Sequence, residues 1–120
     1  AGSLIDRGDP TGFDFSKTDL ILDDAWHDLD LSAIVPAGAK AVLIRTTIYN
    51  VLVAAGIQYR ENGNTNEYNV LDVIAIAANT ANYISGIVAC DINRVIEYQT
   101  VSGATNPADA INIVIKGWFT

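Results

Sequence analysis

Residues 39 to 49 are rich in β-branched and apolar side chains, and their even and odd positions form two different sets. A β-strand points successive side chains to opposite faces, so a period of two predicts a strand with one buried and one outward face. The even and odd positions form the two sets: Val42, Ile44, Thr46 and Ile48 against Leu43, Arg45, Thr47 and Tyr49.

Two later segments repeat this alternation, residues 94 to 101 and residues 110 to 119. Each predicts a strand of an antiparallel sheet with one face on the core. The alternating sets are Ile96, Tyr98 and Thr100 against Val95, Glu97 and Gln99 in the first segment, and Ile111, Ile113 and Ile115 against Asn112, Val114 and Lys116 in the second.

Turn-forming residues predict a hairpin in the middle of the chain. Residues 57 to 61 and the segment from Tyr68 onward flank Asn62-Gly63-Asn64, which tolerates positive φ and favours a tight reversal. Residues 70 to 81 also satisfy a helical spacing, but their β-branched side chains favour a strand.

The pattern as a whole predicts an all-β fold of about eight strands, packed as an antiparallel two-sheet sandwich of the jelly-roll or a related Greek-key type. The strands are expected near Asp14, Leu20, Leu29, Val42, Ile57, Ile74, Ile87 through Tyr98, and Ile113. We expect a single domain over residues 13 to 120. Residues 1 to 12 contain glycines and a proline and predict an extended arm, which a neighbouring subunit is expected to hold.

Charge narrows the range of partners. The chain has 120 residues, of which half are hydrophobic, and its formal net charge is −7. Nucleic acid and anionic membrane surfaces are unexpected partners, because both require a surplus of Lys and Arg. The chain also lacks an apolar run of about 20 residues and the features of a signal peptide, so it is expected to be soluble.

Residues able to carry out catalysis are few. His27 is the only histidine and Cys90 the only cysteine, and neither has a suitable neighbour along the chain. We therefore expect no enzyme activity, no cofactor and no structural zinc. Asp23, Asp24, Asp28 and Asp30 are weak candidates for calcium, although a solvated acidic face explains them better.

Aromatic and apolar side chains indicate an association surface. Trp26, Tyr49 and Trp118 are candidates for an interface or a ligand site, since large amphipathic rings anchor partners. Leu43 and residues 51 to 53 add apolar groups on faces expected to be outward, which predicts a homo-oligomer. The tripeptide Arg7-Gly8-Asp9 matches an integrin-attachment motif, but it is too short to predict adhesion.

Several segments between residues 12 and 119 together resemble β-sandwich modules of tailed-phage and other virion structural proteins, such as tail-fibre tips and capsid-decorating proteins. These segments are Gly12-Phe-Asp-Phe15, Asp28-Leu-Asp-Leu-Ser32, Val35-Pro-Ala-Gly-Ala-Lys-Ala-Val-Leu43, Tyr59-Arg-Glu-Asn-Gly-Asn64, Asn93-Arg-Val-Ile-Glu-Tyr98 and Ile115-Lys-Gly-Trp-Phe119. The resemblance implies a trimer that binds a host surface or cements a shell.

The expected function is therefore a non-enzymatic structural or attachment module that associates with itself, in a virion or an extracellular assembly. A host-surface glycan or another virion protein is the expected further partner. A carbohydrate-binding module is the alternative, because sandwiches present aromatic platforms that suit sugars.

Overall fold

Two antiparallel β-sheets make up the protein in a computed structural model that describes residues 2–49, 55–101 and 110–120. The first sheet has the order β1-β9-β4-β7, with β2 also paired to β9, and the second has the order β3-β8-β5-β6. The strands in the described residues are β1 Leu4–Asp6, β2 Phe15–Ser16, β3 His27–Asp30, β4 Ala41–Tyr49, β5 Gly56–Glu61, β6 Leu71–Ile74, β7 Ala81–Ala89, β8 Val95–Val101 and β9 Ala110–Phe119. No helix in this part of the chain is long and apolar enough to cross a membrane.

The strand order is that of a jelly roll. Antiparallel pairs form between β2 and β9, β3 and β8, β4 and β7, and β5 and β6, so the chain is one long nested hairpin. Pairing of β9 with β4 and of β8 with β5 rolls this hairpin into two sheets. The predicted fold class is confirmed, and β1 is an additional strand.

The core lies between the sheets, and one of the two alternating sets of each of β4, β8 and β9 forms part of it. The buried sets are those that contain Val42, Ile96 and Ile111. Tyr59 lies among them with no exposed surface, and its hydroxyl is 2.7 Å from the Thr46 hydroxyl. This hydrogen bond satisfies two polar groups that would otherwise be buried without a partner.

The predicted hairpin is present, with a longer connection than expected. β5 and β6 are antiparallel, and Gly63 has a φ of 97° in the turn. The second strand begins at Leu71 and not at Tyr68, whose side chain is 99% exposed. The strand interpretation of residues 70 to 81 is confirmed over Leu71–Ile74.

One prediction about the N-terminal part of the chain is wrong. The strand expected near Leu20 is replaced by a short 3-10 helix, Lys17–Asp19, because the Asp19 carboxylate accepts the Ser16 backbone N–H at 2.9 Å and caps that turn. Within the expected extended arm, a short strand, Leu4–Asp6, pairs with β9 of its own chain. This pairing attaches residues 4 to 6 to the edge of the first sheet.

The Arg7–Asp14 ion pair lies along the edge of β9, between the part of β9 that pairs with β1 and the part that pairs with β2. Arg7 Nη2 donates to Asp14 Oδ1 at 2.9 Å, and Nη1 donates to Oδ2. The same two side chains bind the backbone of Ile115: Asp14 accepts its N–H at 2.8 Å and Arg7 donates to its carbonyl at 3.0 Å. Next to Ile115, the register against β4 shifts by one residue and makes Lys116 the extra residue of a β-bulge. The Arg7–Asp14 pair therefore serves as the missing strand partner at this position.

Candidate interaction surfaces

The fold separates charged residues between the two sheets. β4, β7 and β9 of the first sheet carry no Asp or Glu, and their only charged residues are Arg45 and Lys116. The strands of the second sheet carry five acids and a single base, Arg60. Those acids are Asp28, Asp30, Glu61, Asp72 and Glu97. The two outward faces of the sandwich are thus chemically different.

We call the outward side of the first sheet the apolar face; it presents Leu4, Leu43, Tyr49, Tyr83 and Ile87, with Asp6 of the edge strand β1 on the same side. Leu43 pairs with Ile87 across β4 and β7, so these two side chains are neighbours on the same side. Tyr83 is 61% exposed and Ile87 59% exposed. Large apolar side chains collected on one outward face are typical of an association surface.

Arg45 is the charged residue in the middle of the apolar face. Its guanidinium lies 5.1 Å from the centre of the Tyr83 ring, within the range of a cation–π contact. Arg45 pairs with Val114 of β9, and Pro10 and Phe13 border the same shallow cleft. Residues 10 to 13 therefore lie against this face and cover Val114, which is 9% exposed although it points outward.

We call the outward side of the second sheet the polar face, and Trp26 lies over it. The Arg60 guanidinium stacks on the Trp26 ring at 3.9 Å from its centre. The Arg60 Nε donates to Glu97 at 2.7 Å, and the indole N–H of Trp26 donates to Glu67 at 3.2 Å. These contacts hold an aromatic ring in one orientation on an otherwise hydrophilic surface.

The other two aromatic candidates lie elsewhere. Tyr49 is 36% exposed at the end of β4, on the apolar face. Trp118 pairs with Val42, which is fully buried, and packs half-buried against the core. The three candidates therefore do not form one site, and Trp118 points inward. Residues 51 to 53, predicted to be outward and apolar, lie outside the described residues.

Three of the four candidate calcium ligands have hydrogen-bond partners within the protein. Asp23 accepts a 2.7 Å hydrogen bond from the His27 ring, which lowers the pKa of Asp23, and Asp24 bonds the Thr100 hydroxyl at 2.6 Å. Asp30 accepts the backbone N–H of Ser32, which lowers its pKa. Asp28 lies opposite Glu97 on the polar face. No group of three or more His, Cys, Asp or Glu in the described ranges is placed to hold a metal ion.

The candidate reactive residues also have structural surroundings. His27 contacts Asp23 and lies with its ring 5.8 Å from the Tyr98 ring. Cys90 is 6% exposed, its thiol lies 3.6 Å from the Ala39 carbonyl, and burial raises the pKa of the thiol. A thiol that resists ionisation is a weak nucleophile.

Arg7 of the Arg-Gly-Asp tripeptide is engaged in the Arg7–Asp14 pair, with its side chain 22% exposed. Its guanidinium binds the Asp14 carboxylate and the Ile115 carbonyl. The Arg7 side chain therefore connects the N-terminal segment to β9.

Sequence reasoning did not find the separation of charge or the polar groups around Trp26. A signal for the separation of charge was present in the sequence, because the segments 41 to 49, 81 to 89 and 110 to 119 all lack acids.

Comparisons of the chain with models of known protein families, with curated proteins and with solved structures found no match. The resemblance to tailed-phage proteins therefore depends on the quoted segments alone.

Proposed function

We propose that this protein is a non-enzymatic structural or attachment module that assembles with further copies of itself through the apolar face. The observation that carries the proposal is the outward exposure of Tyr83 and Ile87 on a sheet whose three long strands contain no acid. Burial of these side chains against a second copy would remove apolar surface from water, which stabilises the association by roughly 25 cal/mol per Å² of buried apolar area.

Electrostatics favours the same face. Two copies that each carry a net charge of −7 repel one another wherever their acids meet. Asp28, Asp30, Asp72 and Glu97 lie on the outward side of the second sheet, so contact between two polar faces is opposed by like charges. The apolar face is where two copies can approach with the least repulsion.

A virion or other extracellular assembly is the proposed setting, and a trimer the proposed state. The resemblance of residues 12 to 119 to tailed-phage structural modules supports both. A trimer would present three polar faces away from the shared contact, which leaves them available to a host-surface glycan or another virion protein.

Light scattering after gel filtration tests the proposal. The wild-type chain is expected at the mass of three copies, and Ile87→Glu is expected to be monomeric because it places a charge in the contact. Ile92→Glu is the matched control: Ile92 is 89% exposed in the turn after β7, away from the apolar face, so this variant should assemble normally. If the wild-type chain is monomeric at every concentration at which it remains in solution, the proposal of self-assembly is wrong. A wild-type dimer would contradict the proposed trimer.

Salt provides a second readout with a defined sign. Raising the ionic strength from 0.1 M to 1 M shortens the screening length from about 10 Å to about 3 Å and weakens the repulsion between acidic copies. The apolar contact is not screened, so association should strengthen with salt. Dissociation in 1 M salt would indicate that ion pairs hold the oligomer, contrary to the proposed interface.

A further inference from the structure

The polar face carries two rows of side chains that run across its strands. Cross-strand pairing places Asp72, Gln58 and Gln99 side by side on β6, β5 and β8. The second row lies two residues further along and contains Arg60 and Glu97, followed by Asp28 on β3. Directly paired residues share a face, so both rows point outward.

The first row is a connected hydrogen-bond chain. The Gln58 amide donates to Asp72 at 2.6 Å, and the Gln99 amide donates to the Gln58 carbonyl oxygen at 2.8 Å. Gln99 also donates to Glu67 Oε1 at 3.4 Å, the oxygen that accepts the indole N–H of Trp26. The amide and carboxylate groups are thereby fixed in orientation from β6 to the Trp26 ring.

This row retains unused hydrogen-bonding capacity. Within the described contacts, Glu67 and Asp72 each use one carboxylate oxygen, and Gln99 uses its amide nitrogen and leaves its carbonyl oxygen open. An amide nitrogen has two donors and a carboxylate about four acceptor sites. The row can therefore both donate to and accept from a ligand without breaking its own bonds.

We infer that the polar face binds a neutral glycan, with one sugar ring against Trp26 and its hydroxyls on the Gln58–Gln99 row. A sugar ring has apolar C–H groups on its faces and hydroxyls at its edge, and this surface offers an aromatic ring next to fixed donors and acceptors. The combination of a rigid apolar group and a few oriented polar groups is typical of ligand sites. The rows lie on an open sheet face, which suits a polymer that crosses the strands.

The charge of the polar face determines which class of glycan it can bind. Arg60 is 8% exposed and its side chain is paired with Glu97, so it offers little positive charge to a ligand. Asp28, Asp72 and Glu67 leave the surface negative, and acidic polysaccharides are repelled by it. A neutral polysaccharide meets no such opposition.

Fluorescence of Trp26 and affinity electrophoresis test the inference. Trp118→Phe leaves Trp26 as the only tryptophan, so a ligand-induced change in emission reports on the polar face. The probes are a mixed-linkage β-glucan, a galactomannan and dextran, with alginate as the acidic and spermine as the cationic comparison. We expect an emission change and slower migration with at least one neutral polysaccharide.

Matched variants locate the binding. Trp26→Ala and the double variant Gln58→Ala with Gln99→Ala should each weaken binding by about tenfold or more, equivalent to about 1.4 kcal/mol. Tyr83→Ala removes an aromatic ring from the apolar face and should leave binding unchanged. The double variant keeps the ring contact with Arg60, so it tests the site even if Trp26→Ala fails to fold.

Three results would overturn the inference: no binding of any of the three neutral polysaccharides, binding of alginate or spermine alone, or binding that both polar-face variants leave intact. The outcome is separable from self-association. Ile87→Glu disrupts the proposed oligomer interface and leaves the polar face unchanged, so the emission response of a monomeric variant tests the glycan site alone.

Discussion

Replacement of Asp14 by alanine tests whether the Arg7–Asp14 pair holds the N-terminal strands on the sandwich. The Asp14 side chain is 9% exposed, and its carboxylate accepts hydrogen bonds from Arg7 and from the Ile115 N–H. Its loss leaves the Arg7 guanidinium without its counter-ion and the Ile115 N–H without an acceptor. Removal of one member of such a pair costs about 3 kcal/mol of unfolding free energy, because bonds to a charged group contribute about 1.5 to 3 kcal/mol and this pair is only slightly exposed.

Urea unfolding of four proteins measures this effect. Asp14→Ala should lose about 3 kcal/mol and melt about 12 °C lower, while Asp14→Asn should lose less because it can still accept the Ile115 N–H. Asp9→Ala removes an equal charge from an exposed position in the same loop and should change stability by about 0.5 kcal/mol or less. The Ile115 amide should exchange its hydrogen faster in Asp14→Ala. If Asp14→Ala is as stable as Asp9→Ala, the pair does not have the role assigned to it.

Three further predictions concern the core, the acid response and the thiol. Thr46→Val leaves the Tyr59 hydroxyl without its partner and should cost about 2 kcal/mol by urea unfolding, whereas the double variant with Tyr59→Phe should recover most of this loss. Hydrogen bonds lower the pKa of Asp23 and of Asp30 below 3.8, so their contribution to stability is present above that pH and is lost as the pH falls further. The melting temperature should therefore fall below about pH 4, and less steeply when both residues are changed to asparagine; identical slopes would contradict this. Cys90 should react with a thiol reagent only after unfolding, and rapid reaction in native buffer would show that the thiol is accessible.

The strands that sequence alone could predict are those with one face on the core. β4, β8 and β9 bury every second side chain, so their period of two is visible along the chain. β1 has no such signal, because all three of its residues are exposed and its existence depends on pairing with β9, more than a hundred residues away. The bulge at Lys116 and the ion pair that accompanies it likewise depend on long-range register.

The candidate surfaces depend on register in the same way. Gln58 and Gln99 are ordinary polar residues in separate strands, and only the alignment of β5 with β8 makes them neighbours. The sequence does show which strands lack acids, but it does not show that these strands belong to one sheet. Trp26 was predicted as a candidate from its residue type, while its stacking on Arg60 follows from the fold.

The nested hairpin has a consequence for biosynthesis. The β5–β6 pair closes within about 20 residues, so it can form early on the ribosome. β2 places Phe15 opposite Ile113, and β1 pairs later still along β9, so both strands wait for almost the whole of the described chain to be translated. The earliest segments made are the last to find their partners. Until then, Leu4 and Phe15 are accessible to chaperones and proteases.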